Sequence, residues 1–181
     1  MQEELISNWK RDSQTTDTFV RENLSGLSVE QWNWRPDQDT WSIGQQLQHL
    51  VLSNEKYADI IGGWAKSPSV QLKPYRPGFW GKMLLMAVGP DSKLPVPVPG
   101  PLEPGDGPFD GTVVERYLVL QDHFEAALIA ASIHDLNAPL RSPLMPVMRL
   151  KMGDALAMTV IHNQRHVRKA LRLLGDPAFP R

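Results

Sequence analysis

Residues 157–170 read AMTVIHNQRHVRKA, and they decide the fold because they carry two periodicities on one helix. Val160, Val167, Leu171 and Leu174 recur at helical spacing and form an apolar seam. A second stripe beside it runs Ala155, Thr159, His162, His166, Ala170 and Leu173. Residues four apart lie one turn above each other, so both imidazoles point the same way, with small side chains below them. The segment predicts a helix over about 153–174, ended by Gly175 and Pro177.

Working outward, three more long helical patterns appear, and no stretch alternates as a strand would. The first covers about 3–24, with Leu5, Trp9, Phe19, Val20 and Leu24 apolar. LSVEQWNWRPDQDT (27–40) reads as an irregular connection with at most one turn at 28–32. The second helix opens on the capping box Ser42-Ile43-Gly44-Gln45 and continues through Leu47, Leu50, Tyr57, Ile61 and Trp64. Thr112-Val113-Val114-Glu115 reads as another capping box, opening a third helix with Tyr117, Leu120, Phe124 and Ala127. APLRSPLMPVMRLK (138–151) is a Pro-rich link. Trp34 and Trp41 bracket the entry to the second helix, where core or staple packing is expected.

Four helices of this length predict one all-α domain over 1–181, packed as a four-helix bundle. Much of the Pro and Gly content falls in 67–111, between the second and third helices. Within it, PVPVPGPLEPGDGP (95–108) is incompatible with regular helix and reads as extended chain. So long an insertion suits a lid or binding loop. Its apolar knot, Phe79, Trp80, Met83, Leu84, Leu85 and Met86, must cover a pocket or a partner subunit, and a homodimer is one such outcome.

Composition narrows the function classes. The chain has 181 residues and a net charge of -1, with 19 basic and 20 acidic residues, so no global field draws it to nucleic acid or an anionic bilayer. It has no cysteine, which removes disulfides, thiolate ligands and a cysteine nucleophile. MQEELISNWKRDSQ lacks the apolar stretch of a signal peptide, and GFWGKMLLMAVG (78–89) is too short to span a membrane. A cytoplasmic protein without a membrane association is the expectation.

The chemistry lies in the histidines. Two imidazoles at i and i+4 can chelate one cation. His49, beside the core stripe of the second helix, is the candidate third ligand, since bundles build metal sites from inward side chains on facing helices. Three neutral imidazoles with open positions suit a divalent metal, zinc or nickel above all, with iron or manganese as further options. His134 is less well placed; His123 sits where it could line the rim. Arg165, Arg168, Lys169 and Arg172 make a cationic helix face that complements the C-terminal dipole. Arg165 or Lys169 could also reach the pocket edge to hold a carboxylate. Together with Trp80 and His123 they are the candidate substrate contacts.

WRPDQDTWSIGQQLQHL (34–50), followed much later by HNQRHVRKALRLL (162–174), resembles the DinB-like superfamily, in the branch related to thiol-dependent transferases. The resemblance implies a bundle of up-down-down-up topology and a metal held by three histidines, which carry over onto His49, His162 and His166. Where the family often has Gln three residues after the last histidine, this chain has Lys169. The family's use of low-molecular-weight thiols such as bacillithiol or mycothiol implies a thiol co-substrate, activated for attack on a small electrophile. A non-catalytic metal- or ligand-binding protein and a metal-dependent hydrolase are the alternatives the residues leave open.

Overall fold

The computed structural model describes residues 2–68, 73–89, 92 and 97–181. Among them the chain forms α1 (Gln2–Asn23), α2 (Val29–Asn33), α3 (Ile43–Ala65), α4 (Phe79–Val88), α5 (Thr112–Ala130) and α6 (Met152–Leu174). A 3-10 turn covers Gly100–Leu102, and β1 (Pro139–Arg141) pairs with β2 (Arg149–Lys151) as an antiparallel ribbon. The protein is therefore mostly helical. No helix of the described residues is long and apolar enough to cross a membrane.

The four long helices touch in a closed circuit, α1 on α5 and α6, and α3 on α5 and α6. The buried face of α1 is Ile6, Trp9, Ser13, Thr16 and Val20, a spacing of three and four that keeps one narrow stripe inward. Its two polar members are satisfied locally: Thr16 Oγ1 donates to the Asp12 carbonyl at 2.8 Å and Ser13 Oγ to Asp17 at 3.4 Å.

Packing divides into two apolar clusters. One joins Val20 and Leu24 of α1, Ile43, Leu47, Leu50 and Val51 of α3, Val113, Val114 and Tyr117 of α5, and Val167, Ala170 and Leu173 of α6. The other joins Ile6 and Trp9 of α1, Tyr57 and Ile61 of α3, Phe124 and Leu128 of α5, and Met152 to Val160 of α6. Between the clusters, α3 and α6 present polar side chains to each other.

The α3 capping box forms as its residues dictate: Ser42 Oγ accepts from the Gln45 N–H at 3.2 Å, and Gln45 Oε1 accepts from the Ser42 N–H at 3.0 Å. Ser28 and Gln31 form a second complete box at α2, which the single expected turn at 28–32 did not foresee. The box expected at Thr112 is absent. Thr112 lies inside the helix, and its N–H and hydroxyl both donate to Asp110 Oδ1, at 2.9 and 2.6 Å. Gly111 is the N-cap and brings no side-chain bond; Asp110, just ahead of it, supplies a charged acceptor for the first helical N–H, which the positive helix end favours.

The apolar knot is itself a helix, α4. Trp80, Leu84, Leu85 and Val88 pack on the core, while Phe79 and Met86 stay exposed at 70% and 72%. It settles on α6 through Gly81, where any Cβ would collide with the Asp154 carboxylate. Asp154 is fully buried and accepts from Tyr75 Oη at 2.7 Å, the Gly78 N–H at 3.2 Å and the Lys151 N–H at 2.9 Å. Of the expected extended stretch 95–108, residues 97–99 lack regular structure and 100–102 form the 3-10 turn; 95 and 96 lie outside the described residues, as do 69–72, 90–91 and 93–94 of the expected insertion. The 138–151 link holds the ribbon, whose three-residue strands are too short to leave an alternating pattern. Leu140 and Leu150 pair across it and are buried.

Candidate metal centre

His49, His162 and His166 converge in the polar gap between the two clusters. Each offers one ring nitrogen, and these nitrogens all lie within 4.8 Å of one another. His49 Nε2 and His162 Nε2 are 3.2 Å apart. The ring centroids are separated by 5.0, 4.6 and 4.6 Å for 49–162, 49–166 and 162–166. All three rings are buried. On α6 the histidine stripe, not the expected seam, is the more inward face: Ala155, Thr159, Ala170 and Leu173 are buried with it, while Leu171 of the seam is half exposed.

The protein's own hydrogen bonds orient two of the rings. His49 Nδ1 lies 2.8 Å from the Leu102 carbonyl, and His166 Nδ1 lies 2.6 Å from Gln46 Oε1. A carbonyl oxygen only accepts, so each Nδ1 carries the proton, and the Nε2 lone pair of each ring is left facing the gap. Trp41, at the entry to α3, covers the group: its ring lies nearly parallel to His166 at 6.1 Å and tilted against His49 at 5.1 Å.

Electrostatics favour the same neutral state. Burial holds the His49 imidazole below its ordinary value against the bond to the Leu102 carbonyl, and the Lys169 charge adds to the lowering. His162 is pushed down to about 3, by burial first and then by His49, Arg165 and Lys169. His166 is held well below its usual range by burial, then by the other two rings and the same cations. Neutral imidazole is the metal-binding form.

The donor set fits a divalent cation. Two nitrogens bound to one tetrahedral zinc at 2.0–2.1 Å stand about 3.3 Å apart, close to the His49–His162 spacing. Three imidazoles, two of them with hydrogen-bonded outer nitrogens, and one side open to a cavity match a site that keeps exchangeable positions.

That cavity measures about 590 Å³. Its lining on α6 runs Met158, His162, Arg165, His166, Lys169 and Arg172, and on the oppositely directed α3 runs Tyr57, Ser53, His49 and Gln46, so the histidines stand between a Lys169–Arg172 end beside Trp41 and a Met158–Tyr57 end. Ser142, bonded to Tyr57, brings Met145 and Met148 of its own link to that second end. Leu84 and Val88 of α4 and residues 97–99 and 102 complete the wall. Of the expected substrate contacts, Arg165 and Lys169 line this cavity. Arg165 Nη1 donates to the carbonyls of Ala87 at 3.2 Å and Gly89 at 2.8 Å, which ties the end of α4 to the histidine helix. Trp80 packs against the core beneath α4, edge-on to Phe79, and is not among the lining residues. His123 is exposed on α5 and borders a separate hollow of about 40 Å³. His134 is buried elsewhere, bonded to the Ala130 and Ser67 carbonyls at 2.8 and 2.7 Å.

Sequence reasoning missed Gln46, Tyr57, Ser142 and the methionines. Gln46 carried a signal: a glutamine three residues before His49 on the inward face of a helix, where leucine would be expected. The methionines come from the 138–151 link and left none.

A family model described as the DinB superfamily matches residues 14–170 of the chain. No curated protein and no solved structure matches.

Proposed function

Since the chain belongs to the DinB superfamily, we propose that it is a metal-dependent transferase that activates a low-molecular-weight thiol for attack on a small electrophile. The observation that carries this reading is the buried convergence of His49, His162 and His166 at the wall of a cavity large enough for two small reactants. When bound, a divalent ion, zinc or nickel by preference, supplies Lewis acidity and lowers the pKa of a coordinating thiol. His49, His162 and His166 would hold it. Gln46 and the Leu102 carbonyl orient His166 and His49 for that task. Trp41 and α4 exclude bulk water from the group. The chain has no cysteine, so the thiol arrives as co-substrate. We take Lys169 as the contact for a charged group on either reactant, with Arg165, bonded through Nη1 to the α4 carbonyls, beside it in the cavity lining.

The same reading makes the chain one domain, a four-helix bundle running up-down-down-up. Its support is the make-up of the two clusters: C-terminal halves of α1 and α6 meet N-terminal halves of α3 and α5 in one, and the opposite halves meet in the other. We take 67–111 as the lid-like insertion, the protein as cytoplasmic, and the exposed face of α4 as the contact of a homodimer.

The test is loss of monochlorobimane or chlorodinitrobenzene with bacillithiol, mycothiol or a simpler thiol. Turnover that needs the thiol and disappears on chelation supports the transferase. Turnover with water alone makes the protein a hydrolase. No turnover with any thiol, with the metal retained, makes it a binding protein.

A further inference from the structure

The cavity is polarised along its length. Its α6 wall runs from Met158 to Arg172, about 21 Å at 1.5 Å per residue, with the histidines between. At the C-terminal end stand Lys169 and Arg172, one turn apart. Among the described residues neither has a carboxylate within ion-pair distance. Lys169 is half-buried, and burial together with the charges of Arg165 and Arg172 holds its ammonium below the ordinary value. Arg165 is already engaged with the two α4 carbonyls. Among the described residues Asp39 is the one acidic residue in the lining, and it is exposed, against three cations in the same lining. The opposite end is apolar: Leu84, Val88, Leu144, Met145, Met148 and Met158, with the Tyr57 and Ser142 hydroxyls bonded to each other at 3.2 Å.

An unpaired, partly dehydrated cation is costly unless a ligand supplies the counter-charge. Methionine walls adapt to apolar bodies of varied shape. From this arrangement we propose that the cavity takes an amphiphilic acid, its anionic group on Lys169 and Arg172 and its apolar body against Met145, Met148 and Met158. The histidine triad then lies beside the middle of the molecule. This inference rests on the cavity being the substrate site of the proposed transferase, and it names the substrate's chemical class: a small molecule with an acid group on one side of the reacting atom and an apolar group on the other.

The test is calorimetric titration of the metal-stripped protein with octanoate, octyl phosphate, 1-octanol and octylammonium. Stripping the metal removes direct coordination of the acid, so the charge preference read is that of the cations. Octanoate or octyl phosphate should bind at least about tenfold more tightly than octanol, and octylammonium more weakly still. Which acid binds better identifies the acid group. Lys169→Gln and Arg172→Gln should each erase most of that preference while leaving octanol unchanged. Arg21→Gln, an equal charge change on the exposed side of α1, should leave every affinity unchanged. Equal binding of octanoate and octanol, or preference surviving the Lys169→Gln, Arg172→Gln double variant, overturns the proposal. Either result leaves the thiol assay untouched, so the two readings fail separately.

Discussion

His49 and His162, 113 positions apart in the chain, bring their Nε2 atoms to 3.2 Å inside the protein. His49 has its Nδ1 proton committed to the Leu102 carbonyl, so the nitrogen it offers His162 is a bare lone pair. Burying such polar faces against each other is costly unless a shared cation or proton lies between them. The fold accepts that cost at one place, midway between two well-packed apolar clusters.

Gln46 contributes by fixing the His166 ring. Replacing it in Gln46→Leu keeps the volume and removes the acceptor of the Nδ1 proton. Zinc affinity, measured by competition with a chromogenic chelator, should fall about 10- to 100-fold with the helical circular dichroism unchanged.

The three imidazoles set one pH dependence. Each folded value lies below the ordinary 6.5, so the unfolded chain binds more protons as pH falls beneath that value. Their contribution to stability is complete above about pH 6.5 and is lost on acidification. Urea unfolding of metal-stripped protein should show lower stability at pH 5 than at pH 7.5, and His162→Asn should show a smaller decline.

Asp17 sets the opposite dependence. Burial raises its carboxyl from 3.8 to about 6, against the hydrogen bond donated by Tyr117 Oη at 2.8 Å. The folded state here holds the extra proton, so this contribution is greatest below pH 3.8 and is lost as pH climbs toward 6. At 1.36 kcal/mol per unit, the swing is about 3 kcal/mol. Asp17→Asn cannot titrate. Its stability relative to the wild type should therefore rise by about that amount between pH 4 and pH 7 in urea titrations.

Gly81 is the point where α4 meets the Asp154 carboxylate. Gly81→Ala forces the two apart at a cost of about 1–3 kcal/mol. Because α4 carries Leu84 and Val88 of the cavity wall, hydrogen exchange should quicken along 79–88 while α3 and α6 keep their protection.

Much of this architecture was legible in the chain. The Ser42–Gln45 box and the long apolar periodicities marked the main helices, because caps and faces are local properties. The triad was legible because i, i+4 histidines share a helix face and His49 broke the apolar pattern of another. What stayed hidden was non-local. Nothing near Leu102 announced that its carbonyl would orient His49, and α4 was masked by the Gly and Pro flanking a ten-residue helix. Thr112 is not the cap because its hydroxyl donates to Asp110, which places it inside the helix behind Gly111 at the N-cap position.

The metal site is decided by elemental analysis of protein loaded with zinc and then gel-filtered. About one ion should stay with each wild-type chain, and a fraction of that with folded His49→Ala, His162→Ala and His166→Ala. Folded wild type that retains no ion, or a triple variant that retains as much as wild type, would contradict the site.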